Sequence, residues 1–169
     1  MTSLIDNTID ELIRRVKAQE SLGGLAFVMA FATAFGRVLS LTKATKAVTG
    51  FITGNFHSSW TVLTVLVVIF LILGMVMDTG PAIIILAPVL LPAVQELGVN
   101  EVHFGVILVC CLSIGLATPP FGLDLFVSGN LAEEQPMAVA KRAVPFIVAF
   151  LIALLLITYV PWFSTALVG

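Results

Sequence analysis

The stretch Ile114-Gly115-Leu116-Ala117-Thr118-Pro119-Pro120-Phe121-Gly122-Leu123 lies within a run that carries no charged residue from Val102 to Leu123. Two consecutive prolines remove two backbone donors and clash with the preceding turn, so a helix entering this stretch must stop near Ala117 and start again after the break. In water such a break is an ordinary loop. At bilayer depth, freed backbone groups persist only where protein or a wet cavity satisfies them.

Composition decides between these two settings. Hydrophobic residues make up 59% of the 169 and charged ones 11%, with a mean hydropathy of +1.13, whereas soluble chains carry about 25% charged residues. The chain reads as an integral membrane protein. Its apolar runs are long enough for helices, which need about 20 residues to span, and lack the alternation of barrel strands, so the fold class is all-α. The net charge of -2 says nothing about partners, and there is no basic stripe for nucleic acid.

Outward from the break, Val102 to Ala132 is a run of about 31 residues, too long for one straight span and therefore a broken helix over about 102–132. Before it lies an apolar run from Trp60 to Met77, then Asp78-Thr79-Gly80-Pro81, then a run of about 13 residues from Ala82 to Val94 punctuated by Pro88 and Pro92. The second run is short for a span, and the pair is expected to form a re-entrant helical hairpin over about 60–95 with Asp78 to Pro81 at its tip. After the break, Glu133 to Pro136 make a polar link and Met137 to Ala140 a short helical approach. Lys141-Arg142 then forms a basic collar before a last span over about 143–160. Upstream, residues 22–41 form a first span rich in small residues suited to close packing, and 42–56 an interfacial helix and connector, with His57 and Trp60 at the interface. Residues 1–21 form a separate amphipathic segment. Within it Thr8-x-x-Glu11 has the form of a capping box and Ile9, Leu12, Ile13 and Val16 recur at helical spacing.

If the hairpin counts as an even element, the N-terminus and the 133–142 link share one side. Five basic residues there (Arg14, Arg15, Lys17, Lys141, Arg142) against three opposite (Arg37, Lys43, Lys46) make it cytoplasmic. The hairpin mouth and the C-terminus then lie outside.

Asp78 is the sharpest single signal. A carboxylate at the centre of a bilayer costs about 2.5–3.5 kcal/mol on insertion scales, so it should face protein, ion or water; placed in an aqueous loop between two full spans it would carry no such cost. Thr118 reads as an N-cap for a helix starting at Pro119, while the last carbonyls of the preceding helix, near Ile114, Gly115, Leu116 and Ala117, lose their partners. Orphaned carbonyls, a hydroxyl and a nearby carboxylate are hard oxygen ligands suited to sodium, as at the broken helices of secondary transporters. The same break is also what a proline kink satisfied by neighbouring helices looks like. Asp124, one turn into the restarted helix, could ligate, relay a proton or face water. His103 reads as a boundary residue and the adjacent Cys110-Cys111 as packing. Neither histidine has a partner at zinc spacing, and no phosphate loop, nucleophile elbow or dinucleotide fingerprint is present. Asp78 and Asp124 lack the Gly-x-Gly-Asp pattern of an intramembrane aspartyl protease. The chain is read as a non-enzyme without a cofactor.

Four ordered motifs carry a resemblance: Leu73-Gly74-Met75-Val76-Met77-Asp78-Thr79, Leu86-Ala87-Pro88-Val89-Leu90-Leu91-Pro92, Val102-His103-Phe104-Gly105-Val106, and the Ile114–Leu123 stretch. Over residues 25 to 165 the chain resembles the C-terminal half of the large membrane subunit of tripartite ATP-independent periplasmic (TRAP) transporters, and its first 20 residues match poorly. The resemblance implies a sodium-coupled importer of organic acid anions in the bacterial inner membrane, built as two inverted repeats that move as an elevator. Its implied partners are a small membrane subunit, a periplasmic substrate-binding protein and the N-terminal repeat that this chain lacks. By the same resemblance Asp78, Thr79 and Gly80 at the tip, and Gly115, Ala117, Thr118, Pro119, Pro120 and Gly122 at the break, line the substrate and ion sites; Asp78, Gly115 and Thr118 are the sodium candidates. Asp124 stands where the family often has Asn. The alternative is a membrane interaction or assembly protein, a truncated relic that transports nothing.

Overall fold

The structure is a computed structural model that describes residues 23, 24, 26–39, 41, 44–56 and 58–166. The amphipathic segment, Lys43 and His57 lie outside them. The described chain forms α1 (Ala26–Leu39), α2 (Ala44–Asn55), α3 (Ser59–Val76), α4 (Thr79–Glu96), α5 (Glu101–Leu116), α6 (Leu123–Ala132), α7 (Pro136–Tyr159) and the single turn α8 (Trp162–Thr165). All are α-helices, and α3, α4 and α7 are long and apolar enough to cross a membrane. This is an all-α membrane protein.

Polar contacts fix the directions of the helices. Ser59 at the start of α3 donates its hydroxyl to the Leu97 carbonyl at 2.6 Å, in the turn that precedes α5. At the other end of these two helices Gly74 packs on Gly115, so α3 and α5 run parallel, with α4 returning antiparallel between them in sequence. His103 on α5 reaches the Thr158 carbonyl near the end of α7 at 3.3 Å, and Thr64 on α3 lies 2.8 Å from the Tyr159 hydroxyl. α7 is therefore antiparallel to α3 and α5. One face of the molecule collects the hairpin mouth and residues 160–166; the 133–135 link lies at the opposite end of α7.

The core sits where α3, α4, α5 and α7 meet. Phe70 and Phe104 make an edge-on aromatic pair with centroids 6.1 Å apart, and Ile107, Leu108, Leu112, Leu154 and Val94 are fully buried around them. The outer faces remain apolar, with Phe31 on α1 and Phe146 and Phe150 on α7 exposed, as expected of surfaces that meet lipid or other membrane helices.

Four features add to or differ from the sequence expectation. The second hairpin arm is an 18-residue helix equal in length to the first, because Thr79-Gly80-Pro81 form its first turn and Gln95-Glu96 its last. A proline in a first turn costs nothing, since its N–H would be unpaired there anyway. Length alone therefore does not make the arm re-entrant. α7, with 24 residues, is longer than the 16-residue α5, whose start it meets near its own end through His103 and Thr158. Next, the approach 137–140 and the last span form one helix from Pro136, with Lys141 and Arg142 exposed on its second turn. Third, the helix expected over 42–56 is present as α2, and it packs along the later half of α4, burying Thr49 and Ile52. The fourth difference concerns Thr118 and belongs to the site.

Candidate functional site

The tip and the break are brought together by two glycines. A Cβ on Gly74 would lie 2.6 Å from the Leu112 carbonyl oxygen and 3.1 Å from the Gly115 Cα; a Cβ on Gly115 would lie 2.6 Å from the Gly74 Cα. Only residues without side chains let the two backbones approach this closely. Gly74 stands four residues before Asp78 and Gly115 three before Thr118, so each functional segment begins about one helical turn from the crossing.

At the tip, Asp78 takes the N-cap position of α4 with an extended backbone, but its side chain makes no capping hydrogen bond and is exposed. Its own carbonyl accepts from the Ala82 N–H at 3.2 Å. The Thr79 hydroxyl oxygen is buried without a partner. Gly80 is half-buried against the end of the Met29 side chain. The tip thus presents one free carboxylate and one unused hydroxyl.

At the break, Thr118 does not cap a following helix. Its hydroxyl donates backward to the Ile114 carbonyl at 2.6 Å, and its N–H goes to the Gly115 carbonyl at 2.9 Å. The helix restarts only at Leu123, with Gly122 in the cap position. The physical reason lies in the two prolines, which have no N–H to continue the helix and sit in a turn over 119–121. Gly122 closes that turn by donating to the Thr118 carbonyl at 3.1 Å; a Cβ there would run into the Leu116 carbonyl oxygen.

This accounting moves the open carbonyls along the chain. Gly115 is engaged, whereas the Leu116 and Ala117 carbonyls accept no backbone hydrogen bond among the described residues. For Leu116 both residues that could donate, three and four positions on, are prolines. Because the Thr118 hydroxyl has spent its proton on Ile114, only its lone pairs face outward, which suits a cation and not an anion. Pro119 is half-buried and Pro120 exposed over a cavity of about 290 Å³ that reaches Pro136 and Met137 on α7. Asp124 is exposed on the first turn of α6, and nothing among the described residues ties it to the tip. No cluster of three metal-ligating side chains occurs among the described residues.

Two features escaped the sequence reading. Gly74 was visible, since an isolated glycine in a β-branched helical run usually marks close packing. His103 stands at the entrance of α5 as expected, but it is 2% exposed there, with Nδ1 2.9 Å from the Ser164 hydroxyl and Nε2 at the Thr158 carbonyl. A carbonyl only accepts, so Nε2 carries the proton and Nδ1 accepts from Ser164. The ring ties α5, α7 and α8 together. Cys110 and Cys111 are free thiols, Cys110 at the α5–α7 contact and Cys111 buried in the core.

A helical membrane protein in which a hairpin tip meets a broken helix has the architecture of a carrier. The family model of the DctM component of the tripartite ATP-independent periplasmic transporter matches residues 7–163, and the chain belongs to that family. The match extends upstream into the segment that the sequence reading set apart. The C4-dicarboxylate TRAP transporter large permease protein of Pseudomonas aeruginosa is 36% identical over 143 residues, which is 85% of this chain and 34% of that protein. An isethionate TRAP transporter permease protein of Oleidesulfovibrio alaskensis is 36% identical over 146 residues, 86% of this chain and 23% of its own length. The Vibrio cholerae C4-dicarboxylate large permease is 34% identical over 141 residues, 83% of this chain and 31% of its own length. The chain thus spans about a third or less of these relatives.

Proposed function

We propose that this chain supplies the C-terminal half of the transport unit of a TRAP large permease, importing an organic acid anion together with sodium across the bacterial inner membrane. The observation that supports the reading is the glycine crossing: the segment with a free carboxylate and an unpaired hydroxyl, and the segment with two open carbonyls and the Thr118 hydroxyl, each begin about one helical turn from it. Relatives named for C4-dicarboxylates and for isethionate support an organic anion as substrate.

Charge sets the order of binding. The N-termini of α4 and α6 are the places where this half could hold an anion, yet each carries an acid, Asp78 and Asp124. The sequence has no lysine or arginine between Lys46 and Lys141. A cation at Asp78 must therefore come first, neutralising the tip so that the anion can follow, and coupling is built into the electrostatics. Any basic side chain for the anion comes from the N-terminal repeat, on a separate chain or the same longer one. A small membrane subunit and a periplasmic binding protein complete the system, with the hairpin mouth and residues 160–166 on the periplasmic face.

The test is sodium-dependent uptake of labelled succinate and isethionate by host cells producing the chain with its neighbouring transport genes. Asp78→Asn keeps the size of the side chain and is expected to lower uptake at least tenfold while leaving membrane levels unchanged. Uptake that is undiminished, or that loses sodium dependence nowhere in the variant series Asp78→Asn, Thr118→Val and Thr79→Val, would sink the site.

A further inference from the structure

Far from the tip, α2 and the later half of α4 enclose a second polar feature that the transport site does not use. An open cleft of about 690 Å³ is lined by Thr45, Lys46, Thr49 and Thr53 from α2 and by Pro88, Pro92 and Glu96 from α4. The three threonines recur every four residues and so share one helix face. Thr53 donates to the Thr49 carbonyl at 2.9 Å, but the hydroxyls of Thr45 and Thr49 are buried without any partner, and Thr49 is only 7% exposed. A buried hydroxyl without a partner is unfavourable and calls for an occupant. On the opposite wall, Pro92 has no N–H to give the Pro88 carbonyl. Both prolines line the cleft, and the Pro88 carbonyl there lacks its usual helical donor.

We infer that the cleft between α2 and α4 binds the headgroup of a phospholipid that carries a phosphate beside a primary ammonium, as in phosphatidylethanolamine. The donors fit the phosphate: the Lys46 ammonium and the hydroxyls of Thr45 and Thr49. The acceptors fit the ammonium: the Glu96 carboxylate and the Pro88 carbonyl. Donors stand on α2 and acceptors on α4, so a dipolar group bridges the two helices, whereas a simple anion or cation would leave one wall unmatched. The location points to a lipid as the source. Glu96 ends α4 at the hairpin mouth, the same face as the stacked Trp60–Tyr159 pair whose amphipathic rings suit the headgroup level. Leu41, 79% exposed, lines the cleft where an acyl chain would run.

The experiment reads lipid retention and requires no transport. The chain is extracted from its host membrane into mild detergent, stripped of lipid, and mixed with phosphatidylethanolamine, its mono- and dimethyl forms and phosphatidylcholine of the same acyl chains; bound lipid is counted by native mass spectrometry. Retention is expected to fall at each methylation, at least fivefold across the series, because each methyl removes a donor that Glu96 or the Pro88 carbonyl accepts. Lys46→Ala and Thr49→Val should each lower retention of phosphatidylethanolamine at least threefold. Equal retention of all four lipids by the unaltered chain overturns the proposal even if the variants fail to fold. Full displacement of the lipid by an equal concentration of soluble O-phosphoethanolamine overturns it too, by assigning a soluble ligand.

Discussion

Two helix contacts in this molecule solve opposite problems. The α3–α5 contact is dry and so close that side chains are excluded at Gly74 and Gly115, and it registers the hairpin tip against the break to within a helical turn. The α2–α4 contact is open and polar, with two hydroxyls buried and unpaired and prolines that strip donors from the opposing helix. In a bilayer there is little hydrophobic gain from bringing two helices together, so close packing has to come from small residues. Where registration matters, the chain gives up side chains; where it leaves room, polar groups remain to be filled.

The comparison breaks most completely at the crossing. Gly115→Leu puts four carbons where the Gly74 backbone stands and is expected to cost about 3 kcal/mol or more, beyond the usual range for overpacking. Thermal unfolding in detergent should show it, and uptake should vanish with it. A sharper contrast comes from one substitution at two glycines. Gly122→Ala meets the Leu116 carbonyl oxygen and should abolish uptake by respacing the break, whereas a Cβ on Gly105 in α5 meets nothing within 4 Å. Gly105→Ala should therefore raise stability by about 0.5–1 kcal/mol through helix propensity alone. A destabilised Gly105→Ala would mean that another surface already covers that side of α5. At the mouth, His103→Ala leaves the Ser164 hydroxyl and the Thr158 carbonyl without partners at a cost of about 1–3 kcal/mol, seen as faster hydrogen exchange over 158–166. Smallest is Tyr159→Phe, which removes only the exposed bond to Thr64 and should cost about 0.5 kcal/mol.

The helices and the break were legible because the signals are local. Long apolar runs set α3, α5 and most of α7, and paired prolines end a helix. What escaped depends on partners distant in sequence. Thr118 as an N-cap is a sound local reading, yet the hydroxyl turns back to Ile114 because the restart lies at Leu123 and not at Pro119. The 13-residue estimate for the second arm treated polar end residues as outside the helix, though Thr79, Gln95 and Glu96 all extend it. His103 pairs with groups 55 and 61 residues away, a separation no local pattern encodes. The tip and break residues could be named from the sequence, but that they adjoin through Gly74 and Gly115 could not.

The exposed carboxylate at the hairpin tip has an electrical meaning for the sodium proposed there. A cation held at Asp78 part-way across the membrane would feel part of the transmembrane field, a fraction of about 2.3 kcal/mol per elementary charge per 100 mV, so its affinity would shift with the membrane potential.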